Sequence, residues 1–201
     1  MRKRLCALMM TLVLCLSACG GAEENKVEEL ALDIRAKYLS MAGYTAVLDI
    51  TADYGDRMFQ CVLAMDHTAG GETVLTVVEP ELLEGVTARL QNGESLLEFD
   101  GICLDTGPVS PNGLSPLDCV PFLLKEIQEG FISQWGVETL EESECLRFTT
   151  ADPDEEAGEG TQTSLWFDQE SGALLKGEIT VDGYSVLRCE VSDFMWKEKE
   201  A

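Results

Sequence analysis

From Gly43 onward the chain changes its period. Tyr44, Ala46, Leu48, Ile50 and Ala52 alternate with Thr45, Asp49, Thr51 and Asp53. Alternate residues of an extended chain point to opposite faces, whereas a helix groups residues three and four apart. This stretch is therefore a strand with one apolar face. The pattern returns after a turn at Gly55-Asp56, where Phe59, Cys61, Leu63 and Met65 share a face within Arg57 to Asp66. Gly70-Gly71 turns the chain again into the Val/Thr-rich segment Glu72 to Glu79. Val86 to Gln91 and Ser95 to Asp100 follow, with Asn92-Gly93 between them. Asn-Gly between alternating segments is a strong two-residue hairpin signal. Strands this short, joined by turns this tight, pair with their neighbours in an antiparallel sheet.

The last third repeats the pattern in Val137 to Glu141, Cys145 to Thr150, Thr163 to Asp168, Ala173 to Val181 and Tyr184 to Phe194. About ten strands are expected. Two helices interrupt them. Val27, Leu30, Ala31, Ile34, Tyr38 and Met41 recur at spacings of mostly three and four, one apolar face of about four turns. Asn25 with Glu28 resembles a helix start, and Gly43 a stop. Thr106 to Pro116 reads as a loop. Beyond it Val120, Leu123, Leu124, Ile127 and Phe131 define a short amphipathic helix, Leu117 to Glu129. Pro121 either kinks that helix or delays its start by a turn. The expected fold class is mainly β (α+β), a curved antiparallel sheet with an N-terminal amphipathic helix and one interrupting helix.

The N-terminus carries a different message. Arg2, Lys3 and Arg4 precede an uncharged apolar run, Leu5 to Leu16, which ends in Leu16-Ser17-Ala18-Cys19. A basic start, an apolar centre and small residues before a cut describe a secretory signal. The run is shorter than the about 20 residues a membrane-spanning helix needs. Small residues leading into Cys19 look like the lipobox of bacterial lipoproteins, so Cys19 is the expected lipidation site and mature N-terminus. Residues 1–18 are then a signal peptide and 19–25 a lipidated tether. One acyl chain binds a membrane only marginally, whereas the two chains of a diacylglyceryl group hold stably. The expected location is the extracytoplasmic face of the cell membrane.

Charge narrows the partners. Without residues 1–18 the chain keeps 11 basic against 37 acidic residues, a net charge of −26. Such a surface repels phosphate backbones and anionic headgroups, so nucleic acid is excluded and the body stands off the bilayer.

Candidate chemistry is thin. Cys61, Cys103, Cys119, Cys145 and Cys189 are an odd number with no two-residue spacing, which argues against a metal site. Mostly free, buried thiols are expected, although Cys103 and Cys119 flank the proline-rich loop and could be bridged. The acidic run from Asp152 to Gly160 fails as a calcium loop. Its sixth position is Ala157 and its twelfth Thr163, where glycine and glutamate are required. His67, the only histidine, has no nucleophile motif near it and reads as a surface residue. No catalytic residue, cofactor or metal is expected, and the chain is read as non-enzymatic.

What remains is a surplus of apolar surface. Val74, Leu75, Val77 and Val78, then Leu96, Leu97 and Phe99, then Leu165, Trp166 and Phe167, are apolar on both faces of their strands. One face packs on a helix. The other is covered or lines a cavity, and a closed core and a hollow both satisfy that.

The leading helix and the antiparallel succession resemble the LolA/LolB-type lipoprotein carrier and sorting superfamily and its lipid-anchored relatives in Gram-positive bacteria. Two segments add to this likeness. One runs from Val78-Glu79-Pro80-Glu81-Leu82 through Glu98-Phe99-Asp100-Gly101. The other is Leu165-Trp166-Phe167-Asp168 with Gly172 and a hairpin ending Cys189-Glu190-Val191-Ser192-Asp193-Phe194. The resemblance covers residues 26–196, leaving 197–201 as a tail. It implies an unclosed β-barrel wrapped over helices, whose apolar concave face holds acyl chains or a partner segment. The soluble carriers lack an anchor, so Cys19 makes this chain more similar to the anchored receptor. Their cavity residues do not map onto this sequence position by position, and no ligand-binding residue is transferred. The expected function is a membrane-anchored, non-catalytic protein that binds a lipid or other hydrophobic ligand. The alternative is an interaction protein that docks onto or activates an envelope enzyme, as the resemblance to clostridial spore-germination lipoproteins implies.

Overall fold

The computed structural model describes residues 21–140, 143–156 and 158–199. Cys19 and the expected signal peptide, residues 1–18, lie outside them. Helix α1 spans Gly21–Ser40, and strands β1 to β6 follow as Gly43–Asp53, Met58–Thr68, Thr73–Glu79, Thr87–Gln91, Glu94–Phe99 and Ile102–Pro108. Helix α2 is Cys119–Glu129. Strands β7 to β11 are Ile132–Leu140, Ser143–Ala151, Thr161–Asp168, Leu174–Val181 and Tyr184–Trp196. Among the described residues, eleven strands form one antiparallel sheet in the order β6-β5-β4-β3-β2-β1-β11-β10-β9-β8-β7. The sheet is not closed: β6 and β7 are its two edges. The expected mainly β open architecture is what forms.

The chain meanders outward from β1 to the β6 edge, crosses through α2 to the β7 edge, and meanders back to β11. There β11 pairs with β1, placing Cys189 opposite Ile50 and Trp196 opposite Tyr44. Asn92-Gly93, Asp100-Gly101 and Asp182-Gly183 each have positive φ at both positions, the conformation of a tight hairpin turn.

Several boundaries differ from expectation. Helix α1 begins at Gly21, so most of the expected tether is helical and Asn25 lies inside the helix. The eleventh strand is β6, which extends into the segment expected to be loop from Thr106. Its side chains are nearly all exposed, so no alternation marks it. Strand β7 begins at Ile132 and not Val137. Pro121 falls in the first turn of α2, where a missing N–H costs no helical hydrogen bond. The body also reaches past residue 196: the Lys197 N–H donates to the Gly43 carbonyl at 2.9 Å.

The core lies between the concave face and the two helices. Ala31, Ile34 and Tyr38 of α1 and Cys119, Val120, Leu123 and Ile127 of α2 are buried against Ile50, Leu63, Leu75, Phe148, Leu165 and Phe167. Each such large apolar side chain contributes about 1.5–3 kcal/mol on burial. Phe148 stacks on Phe167 with ring centres 5.0 Å apart, and Tyr38 meets Phe167 edge-on at 5.8 Å. Tyr38 also accepts a hydrogen bond from the Leu174 N–H at 3.0 Å, which satisfies its buried hydroxyl.

Polar contacts join the helices. The Arg35 guanidinium donates to the carbonyls of Ile127 (2.9 Å) and Gly130 (2.6 Å), and Gln128 donates to the Tyr38 carbonyl at 3.1 Å. The end of α2, where carbonyls lack helical partners, is thereby capped by a side chain of α1.

A candidate apolar ligand site beside helix α2

Helix α2 lies astride the concave face, and one glycine lets it come close. A Cβ on Gly177 of β10 would sit 2.8 and 3.0 Å from the Leu123 Cδ atoms. Leu123 is buried on that spot. The helix touches the sheet there and leaves hollows to either side.

On the β1–β4 side the hollow has a volume of about 400 Å³. Its floor follows from strand register. Tyr44 is opposite His67, His67 opposite Thr73, and Thr73 opposite Leu90, so these four residues form one row across four strands. Met65 adds to the floor, while Val120, Phe122 and Leu124 of α2 and Val109 of the β6–α2 loop close the walls. That loop is pinned at two points. The Val109 N–H donates to the Gly93 carbonyl at 2.9 Å, and the Ser110 N–H donates to the Asp118 carboxylate at 3.2 Å. A cavity of this size with a mostly apolar wall and a few polar groups has the make-up of a ligand pocket.

The polar groups at its inner end are neutral. His67 is buried, which corrects the surface reading. Its Nδ1 and the Thr73 hydroxyl are 2.8 Å apart, a hydrogen bond whose donor depends on the imidazole tautomer. Burial, and then the charge of Lys197, push the His67 pKa down, partly countered by Asp66. Tyr44 stacks on Phe194 with ring centres 4.8 Å apart, and burial pushes its hydroxyl pKa up.

On the other side of α2 a larger hollow, about 620 Å³, is bordered by the carboxylates of Glu126 and Asp152. Glu126 accepts a hydrogen bond from the Thr150 hydroxyl at 2.5 Å and Asp152 one from the Asp154 N–H at 2.9 Å, but neither forms an ion pair among the described residues. Ionised carboxylates are costly to desolvate, so that side suits an acyl chain poorly.

The strands that are apolar on both faces are explained on the convex side as well, where cations cover the second face. Trp166 lies with the Lys176 amine 4.8 Å and the Arg147 guanidinium 5.5 Å from its ring centre, and its indole N–H donates to Glu138 at 2.9 Å. Arg89 stands between Val74 and Leu96 in register and pairs with Glu72 at 3.2 Å and Glu98 at 3.4 Å. The surplus apolar surface is thus divided between long basic side chains outside and core plus cavity inside.

The five cysteines of the body are unbridged. Cys119, Cys145 and Cys189 are buried and Cys61 is half-buried, in line with the expectation of mostly free, buried thiols, and Cys103, exposed on β6, is the exception. Lys125, Thr73 and Val109, which sequence reasoning does not single out, all line the cavity. For Thr73 a signal exists, since register with His67 follows from the Gly70-Gly71 turn. For the other two it does not.

The architecture is that of an open antiparallel half-barrel closed over two helices. No family model matches the sequence, and no curated protein matches it. Among solved structures, an uncharacterized conserved protein from Thermus thermophilus is similar at 11% identity and TM-score 0.53, covering 86% of this chain and 89% of that one. A LolA superfamily protein from Nitrosomonas europaea aligns at 9% identity and TM-score 0.43 over 87% and 94% of the two chains. The lipoprotein LprF from Mycobacterium bovis aligns at 14% identity and TM-score 0.47 over 88% and 95%. At these identities the likeness concerns the fold.

Proposed function

We propose that this chain is a non-catalytic binding protein, anchored through Cys19 at the extracytoplasmic face of the cell membrane, whose cavity beside α2 holds the acyl part of a lipid or lipidated ligand. The observation that carries the reading is the roughly 400 Å³ hollow walled by Met65, Leu90, Val109, Val120, Phe122 and Leu124. Burial of apolar ligand surface there, at about 25 cal/mol per Å², supplies the driving force without any reacting group. Mass spectrometry of the natively purified protein, together with uptake of a fluorescent fatty-acyl probe, tests it. Bound lipid or saturable uptake is expected. A lipid-free protein that ignores the probe overturns the reading. The anchor is tested separately by Cys19→Ala, which is expected to leave the membrane fraction and to take up no labelled fatty acid. A variant that keeps both properties overturns it.

One observation favours a second reading, docking of an envelope protein. The β6 edge presents Ile102 and Leu104 more than half exposed beside an unpaired backbone, with Phe99 of β5 exposed next to them, a surface open to strand addition. A pull-down from envelope extracts would recover a protein with the native chain and lose it with Ile102→Asp/Leu104→Asp. Identical recoveries with both chains rule this reading out.

A further inference from the structure

The cavity's lining is electrostatically unlike the rest of the molecule. With 37 acidic residues in 201, eighteen residues drawn at random would include about three. The eighteen that line the cavity include no aspartate or glutamate and one lysine, Lys125. Lys125 is exposed, as are Gln91 and Asn92, whereas Tyr44, Met65, His67 and Thr73 are buried. The lysine therefore stands at the mouth and the apolar and neutral groups at the inner end.

Glu94, opposite Gln91 in register and exposed, is outside the lining, and the other carboxylates near this region are engaged with other groups or border another groove. Asp118 holds Ser110 and Ser115, Glu72 and Glu98 hold Arg89 on the convex side, and Asp66 holds Lys197. Glu129, one turn beyond Lys125 on α2, borders the separate groove against α1 and β7. Among the described residues Lys125 forms no ion pair, in a chain where acids outnumber bases.

Resting on the acyl-binding reading above, we propose that the ligand is an amphiphile with a single anionic head, a carboxylate or phosphate, which Lys125 receives at the mouth while the chain enters toward Met65 and Leu90. A protein this acidic repels anions at long range. A carboxylate-free mouth with one unpaired ammonium is the place where an anion loses least by approaching. The neutral His67–Thr73 pair at the inner end sets no second charge against the chain.

The test uses the full chain and four sixteen-carbon probes: palmitate, hexadecyl phosphate, hexadecanol and hexadecyltrimethylammonium. Binding is followed by displacement of the acyl fluorophore at pH 8. At least one of the two anions is expected to bind about fivefold tighter than hexadecanol, the upper size of a solvent-exposed ion pair, and the quaternary amine weakest. Lys125→Gln should remove that advantage and leave hexadecanol unchanged. Lys125→Glu should weaken the anions further. Which anion leads tells a fatty-acid head from a phosphate head. Equal binding of all probes, or anion binding indifferent to Lys125→Gln, overturns the charge assignment and leaves the acyl reading standing. If no probe binds, the acyl reading itself falls.

Discussion

The contact between Gly177 and Leu123 positions α2 on the sheet, and it is open to a double-mutant cycle. A Cβ at position 177 would lie 2.8 Å from Leu123 Cδ1. Carbon atoms settle at about 3.5–4.0 Å, so Gly177→Val forces a displacement of at least about 0.7 Å in a packed layer. Overpacking of this kind costs about 1–3 kcal/mol. Leu123→Ala, at a buried side chain, costs about 2–5 kcal/mol. Combined, the new valine methyls occupy the volume that Leu123 vacates, so the losses should fall short of additive by about 0.5–3 kcal/mol. Urea unfolding followed by circular dichroism reads this directly. With a slope of about 2 kcal/mol per M, a 2 kcal/mol loss moves the midpoint by about 1 M. Strict additivity would refute the claim that the glycine exists to admit the leucine. So would a Gly177→Val variant as stable as the native chain.

Native alkylation followed by mass spectrometry should modify Cys103 first, Cys61 more slowly, and Cys119 and Cys189 only on unfolding. Burial raises the thiol pKa of Cys119 and pushes that of Cys189 up to about 12, so equal labelling of Cys103 and Cys119 would contradict the described packing. Stability should also fall on acidification through the histidine range. His67 has a folded pKa below its unfolded one, so its contribution is complete above the ordinary value of about 6.5 and is lost as pH drops through the lowered value. Urea midpoints measured from pH 8 to 5 should decline, and the decline should be shallower in His67→Gln. An identical slope in both chains would count against a buried, neutral imidazole.

The strands were legible where one face is buried and the other wet. Tyr44 to Ala52 alternates because every second residue meets the core, and β1 formed within a residue of its expected bounds. Strand β6 gave no such signal, because both its faces meet solvent. The one local signal is Asp100-Gly101, a turn dipeptide where the expected strand Ser95 to Asp100 simply ends. His67 was misread because its burial comes from outside its own strand. Thr73 and the ring of Tyr44, centred 5.5 Å away, enclose it, and only the fold brings them there. The surplus of apolar surface was legible, but whether it closes into a core or lines a cavity beneath the interrupting helix was not. Nor were the cavity's walls, since they come from β1–β4, a loop and α2 at once. The covering of Trp166 by Arg147 and Lys176 escaped for the same reason: the three sit on three adjacent strands.

The pairing of β1 with β11 also governs how the chain is made. Ile50 and its partner Cys189 are about 140 residues apart, whereas every other strand pair joins sequence neighbours. A chain that emerges N-terminus first presents β1 at once but completes β11 last. At synthesis rates of about 5–20 residues per second, one long strand edge stands bare for roughly 7–30 s. Bare edges recruit other chains. Strand β1 carries Asp49 and Asp53 among its polar residues, and β11 carries Glu190 and Asp193. Charge on a bare strand discourages such pairing, and Asp49 and Glu190, which stand opposite one another in the finished sheet, place one acidic residue on each of the two waiting strands.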